Sequence, residues 1–294
     1  MAVAEAFVPH AGRRGSARLI GVRRIVGHAS IAERVGFAML GLLVLVAILA
    51  PLIAPDSPTV PSGLPFTPPL HGGHLMGTDE VGFDIFSRVL YGLRSSLIGT
   101  VAVVASGVLI GGTIGLVAGA AGGWVDTVLM RITDLFLALP GPLLAIAFVA
   151  ALGPSYLHTL IAVAIVWWPF YARIMRGEIR ALAARPHLEA AALAGVGPVR
   201  RATRHLLPGA VPAIVVTASL DVGNLVLALA GLSFLGLGAP APAPELGAMA
   251  ARGLQYLLQE WWIPVMPAVA VFFLALASNL SGDGLNDALL GGTT

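Results

Sequence analysis

"EAAALAGVGPVRRATRHLLP", Glu189 to Pro208, carries three arginines, one histidine and two internal glycines between two long apolar stretches. Pro186, just upstream, is placed to open a helix, because a first-turn proline gives up no intrahelical hydrogen bond. His187–Ala194 then reads as about two helical turns rich in alanine. Gly195 and Gly197 supply the positive φ that stops it. Pro198 opens a second short helix bearing Arg200, Arg201 and Arg204, which is expected to close before Pro208. The first helix offers small side chains, Ala190 and Ala191, where a partner surface can come close. The second offers charge to lipid headgroups or to that partner. Composition alone supports an amphipathic surface helix as well as it supports a docking helix.

The chain around this stretch is built for lipid. Hydrophobic residues make up 57% of its 294 residues and charged residues 11%, with a mean hydropathy of +0.89. Soluble domains carry roughly 25% charged residues, so the chain belongs in a membrane. It has no cysteine, which excludes disulfides, thiol catalysis and cysteine metal sites. Every basic residue is arginine. Without lysine there is no conventional P-loop for ATP and no Schiff base. If ATP drives this protein, the nucleotide binds elsewhere.

A transmembrane helix needs about 20 mainly apolar residues. Six stretches qualify, near 36–54, 96–119, 135–152, 160–174, 211–237 and 263–280. The fourth is the shortest and ends on Trp167, Trp168 and Tyr171, suited to an interfacial belt. The first is read as an uncleaved helix, because its basic lead is long for a secretory signal and Pro51 and Pro55 spoil a cleavage site. Arginines set the orientation. Residues 1–35, 120–134 and 173–210 hold six, one and seven, and the opposite side holds Arg88, Arg94 and Arg252. Fourteen against three is a positive-inside bias. Both termini and the Glu189–Pro208 stretch are therefore expected in the cytoplasm. The pI near 9.5 then reflects topology rather than nucleic-acid binding.

The EAA run, then Gly195 after three residues and "HLLP" nine residues further on, resembles the EAA signature of ABC-importer permeases. "HLMGTDEVGFDIFSRVLYGLRSSL" (74–97), "GGWVDTVLMRITDLFLALP" (122–140), "AGLSFLGLG" (230–238) and "NLSGDGLNDAL" (279–289) resemble the second permease of dipeptide, oligopeptide and nickel importers. The resemblance spans about 34–289, in order. It implies an all-α, six-helix type I importer permease whose cytoplasmic coupling helix docks on a separate ATPase. The positions matching that segment are Glu189, Ala190, Ala191, Gly195, Arg200 and Arg201. It also implies a second, homologous permease, one or two ATPase subunits and an external solute-binding protein. ATP and magnesium would sit on the ATPases, with no cofactor on this chain and no nucleic acid. The setting is the bacterial inner membrane, and the substrate a peptide or, alternatively, nickel or a metal chelate. Three positions depart from the pattern: Phe83 stands where arginine is usual, Gly209 where asparagine is frequent, and His205 in place of isoleucine.

The expected organisation is a tail over 1–35, a first span over 36–54 and an extracytoplasmic loop over 55–95. A permease domain follows over 96–282, with its coupling segment at 186–208, and a second tail over 283–294. Residues 79–95 read as an amphipathic helix leading into the second span, and the proline-rich loop before it as extended and irregular. Gly107, Gly111, Gly115 and Gly119 leave one helix face open for close packing. Pro140 and Pro142, and Pro264 and Pro267, should kink their spans. Arg131 and Asp134, three apart, are expected to pair.

Asp221, about ten residues into the fifth span, lies near the midplane, where an ionisable group is costly. With Asn224 and Ser233 it either lines a path or makes a structural hydrogen bond to a neighbouring helix. No histidine falls within the spans, and "HGGH" (71–74) reads as a turn before a metal pair. An intramembrane serine hydrolase at Ser233 lacks a base. A lone secondary transporter lacks an internal repeat and has no need of the EAA stretch.

Overall fold

The computed structural model describes residues 30–290. Among them the chain forms ten α-helices: α1 (Ile31–Ile53), α2 (Ile85–Ala121), α3 (Gly123–Leu137), α4 (Gly141–Leu152), α5 (Tyr156–Ala183), α6 (Pro186–Leu193), α7 (Pro198–Arg201), α8 (Leu207–Phe234), α9 (Leu246–Gly253) and α10 (Trp262–Leu290). Five rods are long and apolar enough to cross a membrane: α1, α2, α5, α7–α8 and α10. The pair α3–α4 makes a sixth if its halves count as one span. Arg13, Arg14, Arg18, Arg23 and Arg24 of the expected tail lie outside the described residues, as do residues 291–294.

Local chemistry sets the boundaries. Ser30 and Glu33 form a reciprocal capping box, so α1 starts at Ile31 rather than at Gly36. The Asp84 carboxylate caps α2 by accepting the Ser87 amide N–H at 2.7 Å. The helix expected over 79–95 as a lead into the second span begins only at Ile85. Residues 79–84 are turns and bridges, and α2 runs unbroken from Ile85 for 37 residues. At 1.5 Å per residue that is about 55 Å, well beyond a hydrocarbon core of about 30 Å.

Gly122 and Gly123, both at positive φ, turn the chain sharply from α2 into α3. The third span is then broken rather than kinked: α3 and α4 meet at 84°. Pro140 has no N–H to continue the ladder, and it biases Leu139 out of the helical region. At the C-terminus, 283–290 is not a separate tail but the last turns of α10.

The central packing is α2 against α5, which run parallel. The Tyr156 hydroxyl donates to the Ser95 carbonyl at one end, and Gly119 meets Ile179 at the other. The glycine face makes this possible. A Cβ on Gly111 or Gly115 would fall inside the envelope of the Trp168 or Ala172 carbonyl oxygen. On Gly107 it would sit 2.8 Å from the Tyr171 ring, and on Gly119 2.8 Å from Ile179. Backbones this close are what small-residue faces provide in membranes. α5 is far longer than the expected 160–174 span. Trp167, Trp168 and Tyr171 therefore lie mid-helix rather than in a belt, and Tyr171 is fully buried. His158, in the first turn of α5, places a histidine inside a span after all. Its Nδ1 lies 2.9 Å from the Gly153 carbonyl.

The 55–84 loop has little regular structure, yet it is packed rather than extended. Thr78, fully buried, donates to the Leu64 carbonyl and accepts from the Thr67 amide. Its own carbonyl takes the indole N–H of Trp262 at 3.2 Å. Phe83, the position that departs from arginine, lies under the Arg88 guanidinium at 4.6 Å from the ring centre.

Candidate coupling segment and path

Two residues, Ala184 and Arg185, separate the end of α5 from α6. One side chain pins α6 to the bundle. Leu188, 5% exposed, sits in a cluster with Met175, Ile179 and Leu182 of α5, and with Leu206, Ala210 and Ile214 leading into and along α8. Gly195, at φ +79°, ends α6, and the Val196 N–H reaches back to the Ala191 carbonyl at 3.1 Å. That bond belongs to the Schellman stop, which a left-handed glycine permits. The remaining surface is open: Ala190 is exposed, Leu193 is 90% exposed and Val199 75% exposed. Glu189 is in α6 beside Ala190.

The second short helix does not close before Pro208. α7 passes through a π turn, Ala202–Leu206, directly into α8. Pro208 sits in the first turn of α8, where its missing donor is tolerated, and the widened turn lets the rod continue. Arg200 is exposed and Arg201 half-buried on this extension.

Asp221, 5% exposed, accepts hydrogen bonds from the Trp167 indole N–H and, at 2.9 Å, from the Tyr171 hydroxyl. Of the two readings left open for it, this geometry is the interhelical hydrogen bond. Asn224, one turn further along α8, is exposed, its side chain beside the Asp221 carboxylate. Ser233 is buried, its hydroxyl beside the Glu245 carboxylate but without hydrogen-bond geometry. Asp221 and Asn224 therefore lie together, and Ser233 lies apart from them at Glu245. A cavity of about 400 Å³ does open between α4, α5 and α8. Gly141, Pro142, Ala145, Val166, Trp167, Leu227, Gly231 and Phe234 are among its lining residues, and no charged side chain is. Trp167, held by Asp221, forms one wall.

Arg131 does not pair with Asp134. Asp134 binds Arg173 of α5 at 2.6 Å instead, both side chains more than half exposed. An arginine placed before its acid on the same helix is the weaker order for an i, i+3 pair, and α5 brings a competing arginine alongside. A stronger contact went unforeseen. Asp126, 4% exposed, takes Arg176 bidentately at 2.5 and 2.7 Å and Arg180 at 3.0 Å. The sequence signal was present in Arg173, Arg176 and Arg180, spaced three and four apart on one face of α5.

Glu245 caps α9, accepting the Gly247 and Ala248 amide N–H groups. Burial pushes its carboxyl above the usual range, against the pull of those bonds. In the 55–84 loop, His71 and His74 form a bridge across the glycine turn, and His71 faces the Pro69 carbonyl. The histidines do not make a metal pair. His74 does gather with Asp56 and Asp84, ligand atoms within 4.8 Å of one another. The Asp84 carboxylate is already engaged by the His74 ring at 2.9 Å and by the cap of α2.

Residues 111–292, from the α2 glycine face through the coupling segment to beyond α10, match the binding-protein-dependent transport system inner membrane components. The chain belongs to that family. It is accordingly a multi-pass inner-membrane transport component that works with an ATPase and other subunits, and not an enzyme. A dipeptide transport permease of Alkalihalophilus pseudofirmus is 40% identical over 257 residues, 87% of this chain and 84% of the relative. A di/tripeptide transport permease of Pseudomonas aeruginosa is 39% identical over 260 residues, 86% of each chain. A glutathione transport permease of Pectobacterium atrosepticum is 44% identical over 216 residues, 74% of this chain and 72% of the relative. Among solved structures, the MetNI methionine ABC transporter in inward-facing form aligns with a TM-score of 0.53 at 21% identity. The alignment covers 67% of this chain and 93% of that one, a likeness of fold.

Proposed function

We infer that this chain is one permease subunit of an ATP-driven peptide importer, coupled to its ATPase through α6. The observation that carries the reading is the state of α6, with a small-faced, exposed surface on one side and Leu188 clamped between α5 and α8 on the other. A push or pull on such a helix is delivered to two spans at once. Arginine bias puts α6 and both termini on the cytoplasmic side. ATP and magnesium are held by partner ATPases, one or two in number. A second permease completes the path, and a solute-binding protein delivers substrate from outside.

The relatives named above transport dipeptides, di- and tripeptides, and glutathione, all peptidic. Nickel favours imidazole or carboxylate ligands, and the cavity's lining residues offer neither.

The test is reconstitution of the complex purified with this chain, followed by measurement of peptide uptake with and without ATP. ATP-dependent uptake, lost in Ala190→Arg while the variant still inserts and the ATPase still turns over, supports the reading. Normal uptake by Ala190→Arg sinks the coupling role. ATP-independent uptake by the chain alone sinks the importer.

A further inference from the structure

The contact between the buried Asp126 carboxylate and two part-exposed arginines lies between the coupling segment and the cavity wall, and its placement defines a role. Arg176 and Arg180 stand on the last turns of α5, which continues through two residues into α6. Asp126 stands on α3, which continues through the 84° bend into α4. α4 in turn supplies Gly141, Pro142 and Ala145 to the cavity. The clasp is thus a polar tie between the helix that carries the docking segment and the one that leads into the cavity wall.

Its chemistry suits a rigid tie. A carboxylate 4% exposed receives two parallel N–H bonds from Arg176, with the Arg180 guanidinium paired to it at 3.0 Å. Bidentate pairs fix direction as well as distance. Opening the contact would leave the buried Asp126 charge uncompensated, so the acid holds its arginines. The nearby Asp134–Arg173 pair is more than half exposed on both sides and holds far less. Apolar support for α3 is modest, with Met130 buried against Ala118 and Ala172.

We propose that Asp126 is a positioning residue for transport: its clasp to Arg176 and Arg180 makes α3 follow α5, so that displacement of the coupling helix reaches α4 at the cavity. This rests on the importer reading for its direction of force. The bend at Pro140 redirects the displacement, because a helix broken there passes on movement of its end without passing on its axis.

The experiment uses the assembled importer in proteoliposomes with the permease carrying Asp126→Asn, Asp126→Glu or Asp134→Asn. Peptide uptake and ATP hydrolysis are measured on the same preparations. Asp126→Asn is expected to lower uptake per ATP hydrolysed about tenfold, with assembly and hydrolysis little changed. Asp126→Glu restores most of the ratio, and Asp134→Asn leaves it at the wild-type value. An unchanged ratio in Asp126→Asn, or an equal loss in Asp134→Asn, overturns the proposal.

A second readout does not depend on the substrate. The chain has no cysteine, so Thr127→Cys on α3 and Gly197→Cys after α6 take spin labels at defined sites. In the otherwise native chain their distance should hold steady between nucleotide-free and ATP-bound complex. With Asp126→Asn added, it should broaden or shift between the two. Identical distributions with and without Asp126→Asn overturn the clasp. A complex that hydrolyses ATP but moves no peptide overturns the substrate reading alone, and the distances still decide the relay.

Discussion

The Tyr171 hydroxyl donates to the Asp221 carboxylate at 2.9 Å, joining α5 to α8 at a point where the same phenol ring also lies against Gly107 of α2. One acid in the fifth span therefore holds three helices in register. Asp221→Asn keeps an acceptor and should cost about 1 kcal/mol. Asp221→Ala strands the Tyr171 hydroxyl and the Trp167 N–H, each loss worth about 1–3 kcal/mol. Thermal unfolding in detergent should rank wild type, Asn and Ala in that order. If Asn proves as harmful as Ala, the charge itself matters.

Glycines on α2 give a sharper contrast. A methyl on Gly115 would collide with the Ala172 carbonyl and sit 2.8 Å from the Met175 Cβ, whereas one on Gly112 finds only the Met175 Cε at 3.6 Å. Gly115→Ala should destabilise by about 1–3 kcal/mol as overpacking does. Gly112→Ala should gain up to about 1 kcal/mol from helix propensity. Opposite shifts in unfolding temperature check the pair, and shifts of the same sign would contradict the packing.

Leu188 is the anchor of α6, so Leu188→Ala should cost about 2–4 kcal/mol within its cluster. The loss should be local. Hydrogen exchange of amides 186–193 should speed up while the α2–α5 core stays protected. Uniform protection across the segment would mean that other contacts hold α6.

Glu245 makes stability depend on pH. Burial raises its carboxyl pKa in the folded chain above the ordinary value of 4.5. The folded state then binds the proton more tightly than the unfolded one. Its contribution is most favourable below 4.5 and is lost as pH rises through the folded value. Relative to Glu245→Gln, wild type should gain stability as pH is lowered through that window, measured as the difference in unfolding temperature. A pH-independent difference would show that the N–H bonds offset burial.

The sequence revealed what depends on neighbours in the chain. Apolar length located the rods, Pro186 and Gly195 bracketed α6, and four-residue spacing marked the glycine face. It concealed what depends on partners far apart. Asp126 and Arg176 are fifty positions apart, and helical spacing suggests a face without saying which acid faces it. Asp134 was assigned to the nearest arginine in sequence, whereas the packed helix supplied a nearer one in space. The same limit hid the role of Trp167, whose place on α5 suggested a membrane interface until Asp221 was found at its indole. Continuity was misread as well. Pro208 signals a stop by local rules, and only the π turn shows how a helix passes it.

That π turn also sets a phase. Its one extra residue advances everything N-terminal to it by about 100° around the axis, the angle per residue of an α-helix. Deleting one residue within Ala202–Leu206 would restore regular α spacing and remove the room that Pro208 uses. It would also swing Arg200 and Val199 about a quarter of the way round the axis. The arginine-bearing end of the docking segment is thus keyed to the fifth span by a single residue's worth of rotation, as a crank is keyed to its shaft.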